Sequence, residues 1–318
     1  MSSSVQIVLN TLSLVALLMM IGYLSVKSNL IQDEHLPGIS KFIVIILLPM
    51  AIFNMVVNGE AQWIDYMKAL PYFGMVCLVY LVLYLLGKWI SKLLKLSGKR
   101  SDVFRMFMIF GNIGFFGIPL ITGLFPGSLS YLHLTQHNII DALVMWTVGV
   151  MILTHHLNKR SFSATVKHMI NPTMGALILG LIIMGLGIQM PSLPNLIVKG
   201  LAEALKTISL VYMGMLLATI DVRPLLKEKS IYVLILVKMF LIPIVIYVFA
   251  SFFLVDQSAV TMALLFGTPG MVLVSILAAL YDSDKTYAAG VVFMTTVAAL
   301  ITLPLLVSIF SYLQPVLK

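Results

Sequence analysis

The chain reads as an all-α polytopic membrane protein: ten transmembrane helices in two inverted five-helix repeats (5+5), with helices four and nine broken. Three observations predict this. Of 318 residues, 60% are apolar and 10% charged, and mean hydropathy is +1.06, whereas a soluble domain carries about 25% charged residues. The apolar residues fall in long runs separated by short polar stretches, and about 20 such residues span a bilayer as a helix. Two of these runs, one in each half, carry the same interruption: Phe110-Gly111-Asn112-Ile113-Gly114 and Phe266-Gly267-Thr268-Pro269-Gly270.

On the length rule the spans fall at 5–26, 38–58, 70–94, 102–124, 133–157, 171–189, 199–221, 230–254, 259–281 and 286–313. Pro37-Gly38, Pro71, Pro126-Gly127 and Asn171-Pro172 punctuate their ends. The stretch Met1 to Ser4 lacks the basic region of a cleaved signal peptide, so the first span is expected to be retained. Cys77 is the single cysteine and lies in an apolar run, which leaves no disulfide framework and no metal–thiolate site.

The net charge of +8 is not a nucleic-acid footprint, because the basic residues cluster in loops between apolar runs. Alternate loops hold Lys27 and Lys41; Lys88, Lys92, Lys95, Lys99, Arg100 and Arg105; Lys159, Arg160 and Lys167; Arg223, Lys227 and Lys229; and Lys285. The opposite side holds Lys68, Lys199 and Lys318. The richer side is cytoplasmic by the positive-inside rule, which puts both termini outside. Five spans per half is an odd number, so the second half must insert upside down. Residues 1–157 are then the first repeat, 158–170 a short basic cytoplasmic linker, and 171–318 the second repeat.

The interruptions weaken the helix for physical reasons. Gly111, Gly114 and Gly117 lower helix propensity, and Pro119 and Pro269 each remove a donor and crowd the preceding turn. Setting one half on the other matches Met106 with Met262, Phe110 with Phe266, Gly111 with Gly267, Gly114 with Gly270 and Leu124 with Leu280. A kink can serve packing alone, but paired breaks at corresponding positions of two halves point to a transporter's binding site. Freed backbone groups are intolerable in lipid and useful where they line a cavity. The reading puts a solute at Gly111, Asn112, Ile113, Gly114, Gly267, Thr268, Pro269 and Gly270, with half-helix N-termini offering N–H groups to an anion.

The run Gly111-Asn-Ile-Gly-Phe-Phe-Gly-Ile-Pro119 resembles the helix-four signature of the auxin efflux carrier family. Asn171-Pro172, Leu210–Ala218 and Ala288–Leu305 with its Thr302-Leu-Pro-Leu-Leu resemble further segments of that family, so the likeness covers essentially the whole chain. What it implies is a five-plus-five inverted-repeat fold with the two broken helices, four and nine, crossed, like the bile-acid symporters and sodium–proton antiporters. A mobile transport part (helices 3–5 and 8–10) would work against a scaffold of helices 1, 2, 6 and 7. It also implies a small organic anion as substrate, malonate, malate or an auxin-like acid, moved by elevator-like alternating access. Asn54, in Leu48-Pro-Met-Ala-Ile-Phe-Asn54, joins the site by the same resemblance. The chain's size and the lack of a long central cytoplasmic loop resemble the short bacterial branch, which implies a multi-pass protein of a bacterial cytoplasmic membrane and suggests a homodimer.

His133, His137 and Asp141 recur every four residues and share a helix face. The series descends about 12 Å, and an acid inside the membrane is usually functional. His137 and Asp141 are therefore candidates for proton coupling, against the alternative of a satisfied polar seam. Three ligands without a second pair make a metal site the poorer reading. Lys238 is expected to snorkel to the interface, and Glu203 and Lys206 to form a structural i,i+3 pair near the outer surface. Trp63 and Trp89 suit interfacial anchors, Trp146 lies too deep for one, and His155 and His156 border the cytoplasmic loop.

Gly111-x-x-Gly-x-x-Gly117 follows no strand and is not a nucleotide fingerprint. There is no Walker motif, no nucleophile–base constellation and no cofactor signature, so the chain is not expected to be an enzyme. Two further readings stay open beside proton coupling: a sodium-coupled carrier of the same fold, and a ligand-sensing membrane module that does not transport.

Overall fold

The computed structural model describes residues 3–59, 69–125, 127–155, 171–219, 221 and 223–313. Trp63, Lys68, Pro126, His156, Lys318 and the 158–170 linker with Lys159, Arg160 and Lys167 lie outside these residues.

The described chain is helical throughout. In order come α1 (Ser3–Lys27), α2 (Leu36–Phe42), α3 (Leu48–Val57), α4 (Leu70–Leu93), α5 (Gly98–Ile109), α6 (Ile118–Leu124), α7 (Ser128–Val144) and α8 (Val150–Leu153). They are followed by α9 (Pro172–Gly185), α10 (Ser192–Ala218), α11 (Lys229–Val233), α12 (Ile242–Ala250), α13 (Asp256–Phe266), α14 (Val272–Leu280) and α15 (Lys285–Leu313). Six uninterrupted helical rods among the described residues are long and apolar enough to cross a membrane: Asp33–Val57, Leu70–Leu93, Leu129–Leu153, Ser192–Ala218, Lys229–Ala250 and Lys285–Leu313. Two shorter apolar helices are Ser13–Lys27 and Pro172–Gly185.

Three helical segments contain a π-helical stretch just before a proline: Ile43–Leu47 before Pro49, Ile113–Gly117 before Pro119, and Leu234–Leu241 before Pro243. A proline ring clashes with the carbonyl four residues earlier, and widening that turn relieves the clash without ending the helix. Pro119 was expected to help break helix four. Instead the wide turn Ile113–Gly117 accommodates it, and the helix runs on through Pro119 to Leu124.

The break in helix four lies earlier, where Phe110 is extended and Asn112 has φ −81° and ψ 65°. In helix nine α13 ends at Phe266 and α14 starts at Val272 after an extended Met271. Boundaries shift elsewhere too. Helix six stops at Gly185, ahead of the left-handed Gly187 (φ +65°), and α10 begins at Ser192, with Pro194 tolerated in its first turn.

Helix α10 packs on α1 and α3, α3 packs on α9, α4 lies on α5, and α12 lies on α13. The α1–α10 crossing is close enough for Gly214 to face the Met19 carbonyl and Gly22 the Val211 carbonyl, the small-residue contact that membrane helices use. At one end of the bundle, Arg100 bonds Glu228 at 3.0 Å and Asp284 at 3.1 Å, and its guanidinium lies 5.1 Å from the Tyr287 ring centre.

Candidate functional site

The two breaks meet. Gly111 and Gly270 form an isolated antiparallel bridge, and the Asn112 N–H donates to the Pro269 carbonyl at 2.8 Å. The Gly270 N–H donates to Thr295 Oγ1 at 2.9 Å, from α15. A β-carbon on Gly111 would overlap Thr268 Oγ1 and come within 3.1 Å of Lys238 Nζ. One on Gly270 would lie 2.9 Å from the Phe107 ring. Glycine at both positions lets the two backbones touch.

This alters the expected chemistry. The N–H groups of Asn112 and Gly270 were expected to hold a solute, but the crossing itself consumes them. Thr268 also turns inward: it is fully buried, and its hydroxyl donates to the Leu265 carbonyl at 2.7 Å.

Lys238 corrects the sequence reading outright. It does not snorkel: it is 2% exposed and is carried on the π-helical stretch Leu234–Leu241. Its ammonium donates to the carbonyls of Thr268 at 2.8 Å and Phe110 at 3.2 Å. These carbonyls lie just past the ends of α13 and α5, where helix termini leave acceptors unsatisfied and negative charge accumulates. The sequence carried one clue: a lysine in the midst of an apolar run is costly unless it has partners.

Beside the crossing is a cavity of about 300 Å³. Asn54 from α3 and Glu203, Lys206 and Ser209 from α10 line one side. Asn112, Gly114 and Ile118 from helix four, Asp141 and Trp146 from helix five, and Met271 from helix nine line the rest. Of the expected site residues, Asn54, Asn112, Gly114 and Asp141 thus come together at the cavity. Gly111, Ile113, Gly267, Thr268, Pro269, Gly270 and His137 are not among its lining.

Two amides are arranged as donors. Asn112 is 2% exposed, and its Nδ2 has no hydrogen-bond partner. Asn58 Nδ2 donates to Asn54 Oδ1 at 2.9 Å and to Asn195 Oδ1 at 2.8 Å, joining α3 to α10. With its carbonyl so occupied, Asn54 keeps its NH₂ for the cavity. Glu203 and Lys206 do not pair with each other as expected, and both face the cavity. Ala202, Leu205, Lys206 and Ser209 form one α10 face, a spacing legible in the sequence once the cavity is known.

The helix-five series separates into three environments. Asp141 Oδ1 accepts from the Tyr80 hydroxyl at 2.5 Å. The His137 ring is wedged against Phe266 (4.6 Å between centres) and Tyr80 (5.8 Å), and neither of its nitrogens has a partner. His133 Nε2 pairs with Ser258 Oγ at 2.6 Å while its ring stacks on Tyr72 at 3.9 Å. No hydrogen bond links His137 to Asp141, and the Tyr80 and Phe266 rings pack against the His137 ring. Trp146 is buried at the cavity and Trp89 is 62% exposed.

A family profile described as membrane transport protein matches residues 7–307. An uncharacterized transporter of Methanocaldococcus jannaschii is 24% identical over 196 residues, 59% of this chain and 61% of that protein. The chain thus aligns with about three fifths of that relative's length. With helix-four and helix-nine motifs meeting at a crossing in the midst of a helical, apolar bundle, the chain belongs to the membrane transport protein family, the auxin efflux carrier family that its motifs resemble.

Proposed function

We propose that the protein is a secondary carrier of a small organic anion, working by alternating access. The observation that carries this is the unpartnered Nδ2 of Asn112, next to the crossing and in the wall of the cavity. A buried donor without an acceptor costs free energy, and a carboxylate entering the cavity would satisfy it. The Asn54 amide, the start of the half-helix at Gly114 and the Lys206 ammonium supply further attraction to an anion. A volume near the low end of ligand sites, about 300–1,000 Å³, suits a solute of few heavy atoms such as malate or malonate.

The cavity lies between α3 and α10 on one side and the crossing helices on the other. Sliding of the second group against the first would carry the solute across, with helices 1, 2, 6 and 7 as scaffold. This agrees with two inverted five-helix halves and with a cytoplasmic side defined by the Lys/Arg-rich loops. The cavity is bordered by α3 from Leu48 to Met55 and by the middle of α10 from Ala202 to Ser209. Asp141, at the cavity and bonded to Tyr80, is the group proposed to couple transport to protons.

The test is flux in proteoliposomes loaded with malate, malonate or an auxin. Asn112→Ala should abolish exchange while expression and melting stay near wild type; wild-type exchange rates in that variant would sink the reading. Ligand-induced stabilisation without any counterflow would favour a non-transporting sensor.

A further inference from the structure

We propose that the Lys238 ammonium is the resident cation of the crossing, occupying the place between the two half-helix ends where a coupling sodium ion would bind, so that the protein takes up no sodium there. The consequence for transport rests on the carrier reading above; the consequence for binding rests on the packing alone.

Helices α5 and α13 bring their C-terminal ends to the crossing. Each end carries about half a negative charge and carbonyls that no helical N–H can reach. A cavity fold that couples to sodium would use such unwound carbonyls as ligands. Here Phe110 O and Thr268 O, the carbonyls at the two breaks, both accept from Lys238 Nζ. Gly111 keeps the approach open, since a side chain there would press on the ammonium. The ammonium is held by burial at 2% exposure and by the π-helical turn that presents it. It does not line the cavity, so it is a positioning residue for the crossing and not a ligand of the transported anion. Sodium would have to displace a covalently tethered charge of the same sign and take over its two acceptors.

The experiment uses the full-length protein in detergent and sodium as the probe. Radioactive-sodium binding is measured, together with melting temperature in sodium, potassium and choline chloride at equal ionic strength. Wild type should bind no sodium saturably and melt at the same temperature in all three salts. Lys238→Ser frees both carbonyls and should gain a sodium-specific rise of several degrees, the signature of a ligand that binds only the folded state. Lys238→Arg keeps the charge and should show no such rise. Saturable sodium binding to wild type or to Lys238→Arg overturns the proposal, as does a folded Lys238→Ser with no sodium-specific shift. If Lys238→Ser does not fold, wild type and Lys238→Arg still decide the matter. Unaltered flux in Asn112→Ala would remove the carrier reading and leave this result standing.

Discussion

Gly111 and Gly270 pair across the crossing as a single antiparallel bridge, and neither has room for a side chain. At Gly111 the obstacles are Thr268 Oγ1 and the Lys238 ammonium, at Gly270 the Phe107 ring. Two chain segments far apart in sequence are thereby held at backbone contact, and the position of Asn112 beside the cavity depends on it.

Gly111→Ala and Gly270→Ala should therefore each cost about 1–3 kcal/mol, as overpacking does. Thermal melting in detergent is the check. Gly114→Ala is the contrasting case, because a methyl group there meets nothing within 4 Å. Its melting temperature should be unchanged or slightly higher, yet its exchange rate should fall, since Gly114 lines the cavity. Equal melting losses at all three positions would contradict the crossing geometry.

Tyr80→Phe removes the hydroxyl that donates to Asp141 at 2.5 Å and leaves a buried acceptor short of a partner. A loss of about 1–3 kcal/mol is expected. In the double variant with Asp141→Asn, the two losses should be clearly non-additive, because the residues share one bond. Additive losses in melting experiments would show that the bond is not what stabilises this region.

Arg100→Ala breaks bonds to Glu228 and Asp284 in a half-exposed setting. Each pair should contribute only roughly 0.2–1 kcal/mol. The melting difference from wild type should shrink as salt is raised to about 1 M, where the screening length falls to about 3 Å. A large deficit that ignores salt would mean that the cluster acts by packing, through the Tyr287 ring.

Lys206→Ala removes the cation that α10 presents to the cavity, while Lys206 makes no ion pair with Glu203. Exchange of a carboxylate should weaken through a raised KM, with melting near wild type. An unchanged KM would place the anion away from α10.

Much of the architecture was legible because membrane burial is a local constraint. A run such as Leu70–Leu93 suits a helix, which satisfies its backbone within the segment in lipid, and at 24 residues it is too long for a barrel strand of about 9–11. The breaks were legible for the same reason: Phe110–Gly114 and Phe266–Gly270 are poor helix formers inside such runs. The sequence also singled out Asn54, Asn112 and Asp141, now neighbours at one cavity. It misjudged Lys238, whose partners Phe110 and Thr268 are remote along the chain, and Glu203 and Lys206, which line a cavity built from remote segments.

Composition, run length and propensity therefore determined by themselves that this protein is a bundle of membrane helices with two weak points. Each of those signals is a free-energy preference of neighbouring residues. Only the tertiary structure decided what happens at the weak points. The N–H groups of Asn112 and Gly270 find acceptors in the opposite segment and in Thr295, and the helix-end carbonyls find Lys238. Which polar groups remain free for a solute is settled by that long-range pairing, because a donor or acceptor already satisfied inside the fold has little left to offer a ligand.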